Sequence, residues 1–132
     1  MKLITELNDK RGQITMYRSE KDNLFYVVPN GCISKRLLQQ FLKELKIANE
    51  QQIIGTMHHV VDTTKVVFAN PLNPFYLQAI KKLPDIGWYI VIVPNPLLRI
   101  LVYFTKWINN PDFVFKSMDE CKAFLKKQDS VK

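Results

Sequence analysis

Polar side chains that can bind a ligand follow the predicted strands of this 132-residue chain. They are Asp62, Thr63, Thr64, Asn70, Asn73 and Asn95. In an open sheet with parallel strands, ligands bind beyond the carboxyl ends of the strands, where helix N-termini present unsatisfied N–H groups. The set therefore predicts one polar pocket at that edge of the sheet. The alternative is that the asparagines only cap helices and the threonines only turn the chain.

Two further candidate binding residues lie on one predicted helix. Arg99 and Tyr103 stand one helical turn apart, and Lys106 extends the same face. Apolar residues occupy most of the remaining circumference of this helix, so it must be covered on more than one side. We expect a partner protein or a small apolar or anionic ligand to provide part of that cover, and a homodimer through the helix Pro96–Ile108 is the alternative.

Catalytic chemistry has one local candidate, which is Asp62 together with His58 or His59. Adjacent strand residues point to opposite faces, so the two imidazoles are not expected to share a metal ion. The sequence has no second His/Cys cluster at ligand spacing and no glycine-rich phosphate loop. Cys32 and Cys121 each lack a nearby activating base. We therefore predict no metal, no cofactor and no catalytic residues, and we keep a small enzyme as the less favoured alternative.

Composition predicts a single domain spanning residues 1–132, because 47% apolar content over this length suffices for one sizeable core. The net charge of +7 invites a nucleic acid or an anionic membrane surface. The basic residues are spread along the sequence and the aromatic residues occupy core positions, so nucleic acid is disfavoured. A basic membrane-surface or nucleic-acid binding protein is the alternative, and it requires these charges to gather on one face. An acidic N-terminal segment and two distant cysteines predict a reduced, cytoplasmic protein without a signal peptide.

The element that positions these residues is the apolar stretch Ile86–Ile108. Pro94-Asn95-Pro96 divides it, since two prolines in its centre are incompatible with one membrane-spanning helix. The first half is rich in β-branched and aromatic residues and predicts a strand buried on both faces. The second half predicts a helix with Asn95 as N-cap and Pro96 at its first position. A buried strand followed by a well-covered helix is typical of an α/β domain.

The remaining elements follow from hydrophobic period and caps. Two strands are predicted as a hairpin that Pro29-Asn30-Gly31 ends or bends, and a third strand precedes Asp62. Ser34 caps an amphipathic helix, and Ser117 with Glu120 forms a capping box for the last helix. The predicted strands are Gln13–Arg18, Leu24–Val28, Ile53–Val61 and Phe113–Phe115, and Val66–Phe68 either continues the third strand or forms a short edge strand. Helices are predicted after Ser34, Asn73, Asn95 and Ser117.

Two parts of the sequence resemble the SpoIIAA-like branch of the STAS superfamily. The final third, with Trp88–Val93, a helix and then Phe113–Leu125, is similar to the end of these proteins. Val60-Val61-Asp62-Thr63 resembles the end of their middle strand, which reads hydrophobic, hydrophobic, Asp, any residue, then Ser or Thr. The resemblance implies an α/β fold with a mixed sheet, which we expect to have four to five strands and four flanking helices.

One stretch departs from the superfamily pattern. Anti-sigma factor antagonists of this superfamily carry a phosphorylatable serine after the middle strand, where this chain has Ala69-Asn70-Pro71-Leu72-Asn73-Pro74, without a hydroxyl. The resemblance therefore implies a non-catalytic binding or regulatory module that lacks this serine.

Overall fold

The structure is a computed structural model that describes residues 2–19, 21, 23–51, 57–69, 78, 80, 82–83, 86–104 and 111–131. These residues form a mixed β-sheet with helices on both faces. Its strands are β1 (Lys2–Asn8), β2 (Gly12–Ser19), β3 (Leu24–Ile33), β4 (Met57–Asp62), β5 (Lys65–Ala69), β6 (Ile86–Ile92) and β7 (Phe113–Phe115). The helices within these residues are α1 (Lys35–Glu50), α2 (Pro96–Phe104) and α3 (Met118–Val131). The sequence prediction of an α/β fold with a mixed sheet is confirmed.

The order of strands in the sheet is β1-β2-β3-β4-β6-β7, and β5 also pairs with β3. β1, β2 and β3 form an antiparallel meander, whereas β4 and β5 run parallel to β3, β6 runs parallel to β4, and β7 runs parallel to β6. Short loops join the antiparallel strands. Parallel neighbours need longer crossovers, and these crossovers bring the helices onto the faces of the sheet.

β3 continues through Pro29 instead of ending there. β4 pairs with Leu24–Val27 of this strand, and β5 pairs with its Asn30–Ile33 portion. Pro29 lies between the two partners, so its missing N–H falls where the neighbour of β3 changes. Gly31 has a φ of 79°, which favours glycine, and the β3–β5 register shifts just after it. The residues predicted to end or bend the strand therefore accompany a change of partner.

Buried side chains form one cluster on each face of the sheet. The α1 face carries the odd-numbered residues of β3, β4 and β6, such as Phe25, Val61 and Val91, and is covered by α1 and α2. The α3 face carries the even-numbered residues, such as Val60 and Ile90, and packs against α3. Residues 89–92 of β6 are all buried, so the prediction of a doubly covered central strand is confirmed.

We expected four to five strands, whereas the described residues form a sheet of seven. β1 was missed because its side chains show almost no apolar burial pattern, and of its residues only Leu7 packs against the core. Backbone hydrogen bonds to β2 build this edge strand, and they leave no signature in hydrophobicity. Of the two alternatives for Val66–Phe68, the structure has the separate short strand, which is β5.

The expected number of helices was four, and three lie within the described residues. The missing one, predicted to begin at Asn73, falls mostly outside them, although Gln78 and Ile80 are helical. The helix predicted for Pro96–Ile108 is described only as far as Phe104. No helix in the described part of the chain is both long and apolar enough to cross a membrane.

Hydrogen bonds at the helix starts match the predicted caps. The Ser34 hydroxyl accepts from the Leu37 N–H at 3.1 Å, and Ser117 accepts from the Glu120 N–H at 3.2 Å. Glu120 in turn accepts from the Lys116 N–H, one residue earlier than an ideal capping box requires. The beginnings of α1 and α3 are thus specified by local sequence.

Candidate functional site

Asp62, Thr63 and Thr64 form a hydrogen-bonded turn between β4 and β5. Asp62 Oδ1 accepts from the Thr64 N–H at 3.0 Å and from the Thr64 hydroxyl. The Thr63 N–H and hydroxyl both donate to the Ile92 carbonyl of β6, at 2.9 and 2.6 Å. An aspartate that bonds the backbone two residues later favours a turn. The turn thus moves the chain from its place between β3 and β6 to a position where β5 pairs with β3.

The second oxygen of the Asp62 carboxylate accepts from the Tyr26 hydroxyl at 2.6 Å. Asp62 is only 7% exposed, so its charge depends on these partners. Burial and the neighbouring Asp62 carboxylate raise the pKa of Tyr26 well above its usual range. Tyr26 is therefore a stable hydroxyl donor at neutral pH, and the pair joins β3 to the end of β4.

An open groove of about 620 Å³ lies beside this pair on the α3 face. Its floor is made by facing residues of β2 and β3, which are the pairs Gln13–Asn30, Thr15–Val28 and Tyr17–Tyr26. Asp62, Thr64, Lys65 and Met118 form the sides. Since Met118 is the first residue of α3, the groove begins where the cover provided by this helix ends.

α2 presents an exposed apolar surface, which we call the α2 apolar face. It consists of Leu97, Ile100, Tyr103 and Phe104, with exposed fractions of 76%, 51%, 58% and 73%. Leu98 and Val102 point the other way and pack against the core of the α1 face. Asn95 fixes the start of the helix, because its side-chain oxygen accepts from the N–H groups of Leu97 and Leu98. Within the described residues, the core covers one side of this helix, and cover of its outer side by a partner or a ligand stays a prediction.

The structure separates the predicted binding residues into two groups. Asp62 and Thr64 line the groove on the α3 face, whereas Thr63 is bonded to β6. Asn95 caps α2, and Arg99 and Tyr103 lie on this helix, which packs on the opposite face of the sheet. Asn70 and Asn73 lie outside the described residues. The described members of the predicted set thus lie on two faces of the sheet, and the pocket as a whole stays a prediction.

The groove contains residues that the sequence analysis did not select. Tyr17 and Tyr26 lie side by side, with ring centroids 6.2 Å apart, and Gln13 and Asn30 form the opposite end of the groove. The available signal was the alternation of polar and apolar residues in β2, where Gln13, Thr15 and Tyr17 share one face. Polar residues at alternate positions of a well-paired inner strand indicate a face that a helix does not cover.

His58 and His59 lie on opposite faces, as adjacent strand residues must. His58 Nδ1 accepts from the Trp88 N–H at 2.9 Å, and the two rings stack at 4.7 Å on the α3 face. His59 is 1% exposed and lies 5.2 Å from Phe25, and neither of its ring nitrogens has a hydrogen-bond partner within the described residues. Burial, aided by the nearby His58, lowers the pKa of His59 to about 4.

These positions do not support the pairing of Asp62 with either histidine. His58 is four residues from Asp62 on one strand, a separation of roughly 13 Å, and His59 points to the other face of the sheet. The carboxylate is instead bonded to Tyr26 and Thr64. No general acid–base pair is formed at this point of the fold.

Cys121 packs within the core of the α3 face and is 0% exposed. Burial, together with the charge of Asp62, raises the pKa of its thiol to about 11, so the thiol stays protonated and unreactive. Within the described residues, no three His, Cys, Asp or Glu side chains come together in a way that could hold a metal ion.

Comparison of the structure with solved structures gives clear matches. An anti-sigma factor antagonist from Mycobacterium paratuberculosis superposes with a TM-score of 0.64 at 17% identity, over 86% of this chain and 94% of that chain. The anti-sigma factor antagonist SpoIIAA in its unphosphorylated form gives 0.62 at 9% identity, over 86% and 96%. The fold of this chain is SpoIIAA-like.

A third match supports the same description. An uncharacterized protein of the DUF3478 family from Shewanella loihica, described as having a SpoIIAA-like fold, gives a TM-score of 0.62 at 15% identity, over 89% of this chain and 96% of that chain. The sequence itself matches no protein-family model and no curated protein. At these identities the similarity establishes the SpoIIAA-like fold, and function must be argued from the surfaces of this chain.

Proposed function

We propose that this chain is a non-catalytic regulatory module that binds a partner protein through the α2 apolar face. The observation that carries the proposal is the exposure of Leu97, Ile100 and Phe104, which follow one another at helical spacing on the outer side of α2. Large apolar side chains that are exposed together, rather than singly, mark interaction sites. The Pro94-Asn95-Pro96 turn and the Asn95 cap hold this helix start in a fixed position.

The shape of this surface favours a protein over a small molecule. Small-molecule sites are concave and enclose most of their ligand, whereas the exposed side chains of α2 lie along the outside of a helix. An amphipathic helix surface of this kind fits an apolar groove on another protein. Leu98 and Val102 on the inner side anchor the helix to the core, so partner binding requires no rearrangement of the module.

Charge on α2 favours a different protein over a second copy. The helix carries Arg99 and no carboxylate. In a symmetric dimer formed through α2, both copies would bring Arg99 and neither would bring a carboxylate on this helix. A different partner with a carboxylate near Arg99 supplies the opposite charge. A homodimer through Pro96–Ile108 remains the outcome that the experiment must exclude.

The solved structures with the same fold support a protein partner. Two of them are named as anti-sigma factor antagonists. The stretch Ala69–Pro74 of this chain contains no hydroxyl side chain, so the proposed regulation does not use a serine at that place. We place the module in the cytoplasm, in agreement with its two unpaired cysteines.

Site-specific photo-crosslinking in the producing cells tests the proposal. A photoreactive phenylalanine analogue replaces Tyr103, and the matched control carries it at Val67, an apolar residue of β5 that is 81% exposed. We expect one heavier protein adduct from position 103, absent from position 67 and lost in the variant Leu97→Ser/Phe104→Ser. An adduct at twice the chain mass would establish the homodimer instead. Adducts that are equal at both positions would contradict the proposal.

The groove beside Asp62 supports a second candidate function, which is binding of a small polar ligand. Two tyrosine rings, amide side chains and Lys65 surround about 620 Å³ of open space. Such a set can stack on a ring and hydrogen-bond its substituents. Thermal-shift screening of nucleosides, sugars and small carboxylates tests this candidate, and a stabilisation abolished by Tyr17→Ala would support it.

A further inference from the structure

Four basic side chains, three of them on α1, line one groove beside this helix. The groove has a volume of about 730 Å³. Arg36, Lys43 and Lys46 of α1 lie along it, and Lys82 lies on its other side. Positions 36, 43 and 46 share one face of a helix because they are separated by multiples of about one turn. This gathering was the condition that sequence alone left open.

The bottom of this groove is apolar. Leu42 and Leu45 of α1 and Leu83 line it between the basic residues. Leu45 is fully buried in the core of the α1 face, while Leu42 and Leu83 are half-buried and pack against the same core. The surface thus combines a leucine floor with a basic rim, a pattern unlike an ordinary solvated helix face.

The charged side chains among the described lining residues are all basic. None of the described residues that line it is acidic. Arg36 is partly compensated, because it also lies near Asp9 and helps to lower the pKa of that carboxyl, after the larger effects of Ser34 and Lys10. The uncompensated attraction therefore comes mainly from Lys43, Lys46 and Lys82, and it favours a negatively charged occupant.

We infer that this groove, which we call the α1 groove, binds an acidic amphipathic helix of a partner protein. Leucine-like side chains of that helix fill the apolar floor, and its Asp or Glu residues face the lysines of the rim. Arg36 to Lys46 spans roughly 15 Å along α1, which matches about three turns of a bound helix. The inference concerns a surface distinct from the α2 apolar face and does not depend on it.

Two other anionic partners fit the α1 groove less well. A single-stranded nucleic acid needs aromatic side chains on which bases stack, and the described lining contains none. A bilayer binds apolar side chains that project into it, whereas the leucines here form the floor of a groove between α1 and residues 82–83. Leucine side chains that project from a partner helix fill such a floor.

Fluorescence anisotropy with a defined peptide tests the inference. The probe is a labelled helical peptide of about 12 residues in which Leu repeats at i, i+3, i+4 and i+7 and Glu fills the flanks. The test variant is Lys43→Glu/Lys46→Glu. The control is Lys122→Glu/Lys126→Glu on α3, whose side chains are exposed and whose net charge change is identical. Circular dichroism melts verify that both variants remain folded.

We expect the test variant to weaken peptide binding by about tenfold or more, and the control variant by less than about twofold. A peptide with Ala in place of Leu is expected to lose most of its affinity, because only the leucines fill the floor. Equal weakening by both variants would show a mere net-charge effect and overturn the inference. So would the absence of peptide binding at low salt, or tighter binding of an oligouridylate or of phosphatidylserine vesicles.

Discussion

The two faces of the sheet are closed to different extents. On the α1 face, α1 and α2 cover a continuous cluster from Ile14 to Val93. On the α3 face, within the described residues, α3 covers the cluster around Val60 and Ile90, and the cross-strand pairs of β2 and β3 remain open as a groove. The closed face is explained by packing. The open part of the other face carries polar and aromatic residues that packing does not require, and we propose it as the binding site of a small polar ligand.

The adjacent residues His58 and His59 of β4 illustrate this difference, because they point to opposite faces of the sheet. His59 points into the closed face and lies against Phe25, without a polar partner in the described structure. His58 points to the α3 face, accepts a backbone hydrogen bond and stacks on Trp88. His59 is thus held by apolar burial on the α1 face, whereas His58 is held by a hydrogen bond and a stacking contact on the α3 face.

The largest expected change in the free energy of unfolding comes from replacing one phenylalanine on each face of the sheet by alanine. Phe41 of α1 is 1% exposed, whereas Phe124 of α3 is half-buried. We expect Phe41→Ala to lower the free energy of unfolding by about 3–5 kcal/mol. Phe124→Ala should cost about half as much, because less apolar area is lost. Urea denaturation measures both, and equal costs would show that the α3 face is closed as tightly as the α1 face.

The pH dependence of stability should depend on His59. In the unfolded chain the histidine takes up a proton near 6.5, whereas burial lowers its folded pKa to about 4. Between these two pH values the unfolded state therefore binds more protons than the folded state. The free energy of unfolding has its full value above pH 6.5 and decreases as the pH is lowered to 4. The loss is on the order of 3 kcal/mol.

Urea melts across this pH range measure the loss. His59→Leu should remove most of the slope and, since it also removes buried ring nitrogens without partners, should raise stability at low pH. His58→Asn is the control, in which most of the slope should be retained because burial, the larger cause of the His59 shift, is unchanged. An unchanged slope in His59→Leu would mean that the ring is hydrated in solution and that the α1 face is less closed than described.

Much of the fold could be predicted because its signals are local. Pro94-Asn95-Pro96 separates β6 from α2, and Ser34 and Ser117 mark the starts of α1 and α3. β1 could not be predicted, since it is an edge strand that is held by backbone pairing and buries little apolar surface. Hydrophobic period reports burial, and a strand without burial has no such period.

The binding surfaces could be predicted only in part, because they depend on register. Asp62 and Thr64 were identified as strand-end residues, but the bond from Tyr26 joins residues 36 apart in sequence. The α1 groove needs Lys82 beside Lys43, which only the packing of residues 82–83 provides. The exposed side of α2 was anticipated as excess apolar surface, yet which of its residues remain uncovered follows from the docking of Leu98 and Val102.

A smaller effect is expected from adding a methyl group at Gly12 in β2. A Cβ at this position would point to the α1 face, overlap the Cys32 carbonyl oxygen and lie 3.3 Å from a methyl of Leu37. We expect Gly12→Ala to cost about 1–3 kcal/mol, as overpacking usually does. The neighbouring Gln13 points into the open groove, so Gln13→Ala should cost less than about 0.5 kcal/mol. Thermal melts that show equal costs would remove the distinction between the two sides of β2.

The smallest expected effect concerns Tyr26, which stands at the boundary between the covered and open parts of the α3 face. Tyr26→Phe removes the hydroxyl that donates to the Asp62 carboxylate. We expect a loss of about 1.5 kcal/mol, the lower end for a hydrogen bond to a charged group, because Thr64 still donates to the other carboxylate oxygen. Tyr17→Phe is the matched control, since its hydroxyl makes no hydrogen bond within the described residues, and its cost should be close to zero.

Titration gives an independent measurement of the same contact. Burial and Asp62 raise the pKa of Tyr26 in the folded state. The protonated hydroxyl therefore stabilises the fold fully below the ordinary pKa of 10.0, and this stabilisation is lost as the pH rises above that value. The phenolate absorbance should therefore show one tyrosine that ionises later than the others, and Asp62→Asn should bring that ionisation back toward the usual pH. If Tyr26→Phe and Tyr17→Phe cost the same and no late ionisation is seen, the carboxylate is satisfied by Thr64 alone. The wall of the groove would then be mobile, and a ligand would have to order it on binding.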